Sequence, residues 1–100
     1  MIHKQYDLEL QVGLSINKKI AFENKDSKKH VFGLKSSDPE QMFIRQEKIE
    51  IPGNSKDKMR LKFFPIDSEC TKKFVVFIKR GGKDHENILL NVNYRHPVPH

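Results

Sequence analysis

The sequence predicts an all-β fold, an antiparallel β-sandwich of about seven strands, and two observations carry that prediction. Short runs of alternating apolar and polar residues, cut by turn residues, fill nearly all of the 100 positions. No stretch shows the apolar spacing of a long amphipathic helix. The length suits one domain with a two-layer core. The expected organisation is a single domain over residues 1–95 and an extended tail or start of a linker over 96–100.

In the first strand Tyr6, Leu8, Leu10 and Val12 fall on one face and Asp7, Glu9 and Gln11 on the other, because strand side chains alternate. Gly13 ends it. The second runs from Ile16 to Glu23 with Ile20 and Phe22 pointing the same way, before the polar turn Asn24–Lys28. Val31–Lys35 is the third, broken by Ser36–Glu40, where Pro39 supplies no ladder donor. Met42–Arg45 and Lys48–Ile51 read as a short extended pair giving Phe43, Ile49 and Ile51 to the core, and Pro52-Gly53-Asn54 ends them. Lys58–Phe63 alternates with Met59, Leu61 and Phe63 inside, and Pro65 closes it. Phe74–Ile78 is apolar on both faces, as a central strand is. Gly81-Gly82 is a hairpin signal, and Asn87–Tyr94 returns with Ile88, Leu90, Val92 and Tyr94 on one face. With no intervening helix, all pairings are expected to be antiparallel. Phe32 and Phe64 lie out of phase with Val31 and Phe63, and are expected at the sandwich rim or beneath a neighbouring domain.

Signals for chemistry are few. There is no Gly-x-Ser-x-Gly elbow, phosphate-cradling glycine loop or His-Glu-x-x-His pair. The spacing of His85, His96 and His100 is nonspecific for a metal, and His3 and His30 stand isolated among lysines. Asp84 and Glu86 read as hairpin solubilisers rather than a general acid/base pair. The lone Cys70 cannot form an internal disulfide, and two nearby acids disfavour its thiolate. No catalytic residue, metal or cofactor is expected. No apolar run reaches the roughly 18 residues of a membrane span, and Met1–Lys4 lacks the apolar stretch of a secretory signal. The expected location is the cytoplasm.

Several short motifs together resemble the major sperm protein superfamily, the PapD-like immunoglobulin sandwiches that include the ASH domains of ciliary and centrosomal proteins. They are Phe22-Glu-Asn24 before a turn, Ile51-Pro52-Gly53, and Phe63-Phe64-Pro65, with the resemblance running over roughly residues 16–95. The resemblance implies an immunoglobulin-like fold and a scaffold domain from a larger ciliary, basal-body or centriolar protein. The motif residues have structural duties to match. Asn24 caps a tight turn through its amide, Gly53 takes a positive φ after Pro52, and Phe22 and Phe63 meet across the sandwich.

The functional signal is charge. Nineteen Lys and Arg against thirteen Asp and Glu leave a net +6, which favours acidic partners. Lys58, Arg60 and Lys62 project from one face of a strand about 6–7 Å apart. Lys72, Lys73, Lys79 and Arg80 flank what sandwich order makes an adjacent strand, and so are expected to widen the stripe. Those seven residues form the candidate binding face. The pattern speaks against nucleic acid as a partner, because a binder of single strands interleaves exposed aromatics with its cations, whereas here the phenylalanines alternate inward, Phe32 and Phe64 excepted. The expected function is a noncatalytic protein-interaction or scaffold module for acidic or ciliary partners. The alternative is a free-standing domain of the same family that self-associates, or that reads acidic peptides or anionic lipid surfaces.

Overall fold

Alternation becomes architecture because each strand has one apolar side to bury. The computed structural model describes residues 4–97. His3, His100 and the end of the expected tail lie outside them. The described residues form eight strands: β1 Lys4–Gln11, β2 Ile16–Asn24, β3 His30–Ser36, β4 Met42–Ile44, β5 Lys48–Ile51, β6 Ser55–Phe63, β7 Cys70–Arg80 and β8 Lys83–Arg95. They make a five-stranded sheet in the order β1-β8-β7-β3-β5 and a three-stranded sheet in the order β2-β6-β4. The expected all-β sandwich is the observed fold.

The core lies where the inward registers meet. Met59, Leu61 and Phe63 of β6 are fully buried, as are Val76 of β7 and Ile88, Leu90 and Val92 of β8. Phe22 of β2 stands edge-on to Phe32 of β3, ring centroids 5.0 Å apart, and Phe63 meets Phe74 of β7 at 5.8 Å. Phe22 and Phe63 therefore do not meet each other. They sit on neighbouring strands of one sheet, and each reaches an aromatic of the opposite sheet. Phe32 is in the core, with no exposure, while Val31 points outward and is 47% exposed. The choice between them was a choice of phase, and a one-residue slip exchanges the two faces. The same reversal occurs in β4, where Met42 and Ile44 are buried and Phe43 is 46% exposed.

Two pairings also differ from expectation. β1 runs parallel to β8, from Lys4 opposite Ile88 to Gln11 opposite Arg95, so the larger sheet is mixed. β4 and β5 do not pair with each other: β4 joins β6 in one sheet and β5 joins β3 in the other. The three residues between them carry the chain across the sandwich. At the hairpin between β7 and β8, Gly81 and Gly82 have φ of 60° and 78°, the left-handed region that a tight connection demands.

The β2–β3 turn is held from within. Asn24 is only 2% exposed, and its amide nitrogen donates to the carbonyls of Lys28 (2.9 Å), Ile51 (3.0 Å) and Pro52 (3.2 Å). Its Oδ1 accepts from Asp26 N at 3.1 Å. One side chain thus caps its own turn and ties it to the loop after β5. The positive φ in that loop belongs to Asn54, at 56°, and not to Gly53. Glycine is required at 53 for a different reason: a Cβ there would stand 2.0 Å from Ser27 O.

His30 is not isolated. Its Nε2 lies 2.7 Å from Asp26 Oδ2, and Arg80 Nη1 approaches the same oxygen at 3.6 Å. The hydrogen bond to His30, followed by that from Lys28 N, holds the Asp26 carboxyl below its ordinary range. A depressed folded value gives a contribution that is complete above the unfolded pKa and is lost as pH falls through the folded one. The stability gap between wild type and Asp26→Asn is therefore expected to be open at neutral pH and to close on acidification. Urea midpoints of the two proteins across that range check this. A gap that stays constant with pH rules it out.

Candidate interaction surface

The outward register of the three-stranded sheet collects positive charge. β6 presents Lys56, Lys58, Arg60 and Lys62 outward, alternating with its buried residues. Pairing with β2 sets Lys19 directly opposite Arg60, Ala21 opposite Lys58, and Asn17 opposite Lys62. Within these strands that face holds one carboxylate, Glu23, which lies opposite Lys56 at one end. Among the described residues, the ion pairs join Lys29 to Glu50 and Asp26 to His30 and Arg80, and none engages Lys19, Lys58, Arg60 or Lys62. Like charges directly opposed across a strand pair are destabilising by a few tenths of a kcal/mol, so the Lys19–Arg60 pair is a local cost to the fold.

The stripe has a fixed backbone. β4 covers β6 on the side away from β2 only as far as Ile44, opposite Leu61. Beyond it Arg45 N donates to Arg60 O at 2.9 Å. The Gln46 side chain then continues the ladder, accepting from Arg60 N at 2.9 Å and donating to Lys58 O at 3.2 Å. At the other end Lys62 Nζ sits 5.2 Å from the centroid of the Phe64 ring, a cation–π contact, and Lys62 is opposite the exposed Phe43. Phe64, just past the end of β6, is half-buried beneath that lysine.

The seven cations grouped from sequence do not share this surface. Lys58, Arg60 and Lys62 lie on it, but β7 belongs to the other sheet, so Lys72, Lys73, Lys79 and Arg80 do not widen the stripe. Lys73 and Lys79 take the outward register of the five-stranded sheet, opposite Asn91 and Asp84, and Arg80 turns toward Asp26. Lys19 takes their place beside Arg60. Its alternation in β2 was readable, but its neighbour is set by a pairing between strands some forty residues apart in the chain.

Other candidates are arranged as structural residues. Cys70 is half-buried opposite Tyr94, whose hydroxyl is pushed up to about 12, first by burial and then by the Cys70 thiol, with the Gln41 amide opposing. His85 lies against the rings of Phe22 and Phe32, at 6.2 and 5.4 Å between centroids. Asp84 is exposed near the β7–β8 hairpin, while Glu86 is partly buried with its Oε2 enclosed. Among the described residues no three His, Cys, Asp or Glu side chains group to hold a metal. No helix there is long and apolar enough to cross a membrane.

Sheet order and the parallel first strand define an immunoglobulin-like sandwich of the PapD and major sperm protein class. Solved structures agree in fold. WR4, a C. elegans major sperm protein family member, superposes with a TM-score of 0.66 at 14% identity, covering 89% of this chain and 92% of its own. The ASH/PapD-like domain 7 of human CEP192 gives 0.65 at 10%, covering 95% and 83%. The Pseudomonas aeruginosa CupB2 chaperone gives 0.65 at 10%, covering 89% of this chain and 52% of its own. The chain itself belongs to the family described as NPH4 Ig-like domain 4, an immunoglobulin-like domain of nephrocystin-4, whose model matches residues 3–95. No curated protein sequence matches.

Proposed function

We propose that this domain is a noncatalytic protein-interaction module of a ciliary or centriolar scaffold, and that it holds an acidic partner on the outer face of its three-stranded sheet. The observation that carries the reading is the cluster of Lys19, Lys58, Arg60 and Lys62, which no carboxylate of the described residues neutralises. A face kept positive at a local cost in stability has its compensation in a partner. The family match to an immunoglobulin-like domain of nephrocystin-4 and the fold shared with a CEP192 domain favour a cytoplasmic scaffold at the cilium, basal body or centriole.

The test is a pulldown from ciliated-cell extract at physiological salt, with wild type beside Arg60→Glu/Lys62→Glu. The reversed form is expected to lose its partners while staying folded, with an unfolding free energy within about 1 kcal/mol of wild type, since Glu at 60 would face Lys19 attractively while the Lys62 contact with Phe64 is lost. Partners retained by the reversed form at unchanged salt sensitivity would remove the face from the interaction.

A further inference from the structure

The two sheets differ in width, five strands against three, and the mismatch falls beside β2. Among the described residues, β2 has β6 along one edge and no strand along the other. Near the turn at Gly13, β1 is well covered, with Leu10 only 3% exposed. Toward its start, the inward-facing Leu8 and Tyr6 remain partly open. Meanwhile the far end of β2 has crossed beneath the middle of the larger sheet, where Phe22 meets Phe32 of β3. The strands therefore enclose a wedge that widens from the turn. At its mouth is a cavity of about 250 Å³ lined by Lys4, Phe22, Lys25, Arg80 and Glu86, among others. Glu86 Oε2 is enclosed there with no hydrogen-bond partner.

Resting on the proposed acidic partner, we infer that it docks as an added strand along the free edge of β2, an extended segment of another protein that alternates apolar and acidic residues. Main-chain pairing with β2 would satisfy that edge and make the smaller sheet four strands wide. The guest's inward side chains fill the wedge against Tyr6 and Leu8. Its outward acids lie beside Lys19, with Arg60 one strand further on. Backbone N–H groups at the mouth meet Glu86. A second copy of this chain fits badly, because joining β2 to β2 would set two copies of the same positive outer face, each with Lys19, Lys58 and Arg60, side by side in one sheet.

The probe is a capped nine-residue peptide alternating valine and glutamate, matched to the nine residues of β2. It is compared with the same peptide N-methylated at successive amides so that neither edge can pair. Expected are slowed amide exchange confined to Ile16–Asn24, loss of binding by the N-methylated peptide, and an affinity drop of roughly three- to tenfold for Lys19→Glu. Equal binding of both peptides, an unprotected β2, protection explained by dimerisation of the domain, or no binding would each overturn the proposal. If Arg60→Glu/Lys62→Glu abolishes binding while N-methylation does not matter, the edge is wrong and the basic face stands. If the peptide binds no form, the edge proposal falls and the extract pulldown decides the face by itself.

Discussion

Replacing Phe22 with alanine is expected to lower the unfolding free energy by about 3–5 kcal/mol, a large share of the roughly 5–15 that a domain of this size possesses. Phe22 is 2% exposed and makes the edge-to-face contact with Phe32 that joins the two sheets at the end away from the β1–β2 turn. Its loss removes apolar transfer energy, opens a cavity between sheets and forfeits an aromatic pair worth about 0.5–1.5 kcal/mol beyond area. Phe22→Leu keeps most of the volume and should cost far less. Urea denaturation with an unchanged m value checks both variants. A cost below about 1 kcal/mol for alanine would mean the sheets close over the gap and that Phe22 is no keystone.

Gly53→Ala is the second large effect, expected to cost about 3 kcal/mol or more, because the new methyl collides with backbone rather than with a flexible side chain. Ser27 O would be 2.0 Å from the Cβ, and Ser27 lies in the turn that Asn24 holds through Lys28, Ile51 and Pro52. Moving Ser27 away strains those hydrogen bonds, and each buried group left unsatisfied costs about 1–3 kcal/mol. The cause can be separated from a backbone-conformation effect. Were Gly53 needed for positive φ, Gly53→Asn would be tolerated better than alanine, since Asn visits that region. With close approach as the cause, Gly53→Asn is as damaging as alanine, and Asn54→Gly, at the residue that does have positive φ, is nearly neutral. Thermal or urea unfolding of the three variants decides between the two accounts.

Much of the fold was legible because alternation is a local property. Leu10, Ile20, Phe22, Met59, Leu61, Phe63 and the Ile88-to-Tyr94 series were assigned inward from sequence, and all are buried. Where alternation was ambiguous the reading failed. Val31-Phe32 offers two apolar neighbours, and Met42-Phe43-Ile44 is apolar throughout, so phase in both was set by pairing with other strands. Half of the candidate site was readable for the same reason. Lys58, Arg60 and Lys62 share a face by periodicity, whereas the company they keep depends on register, which brought in Lys19 and Gln46 and removed the β7 cations.

By itself the chain determined its class, its turns and the side of each strand that turns inward, since these follow from residue spacing, from glycine and proline geometry and from the cost of exposing apolar surface. Its positive balance likewise needed no structure. Only the tertiary structure decided that β1 runs parallel to β8, that β4 and β5 part company, that Gly53 is a matter of contact rather than φ, and that β2 is an edge strand of the smaller sheet. Those are relations between segments distant in sequence. They are fixed by which strands pair and how two twisted sheets of unequal width cross, and no local pattern encodes that.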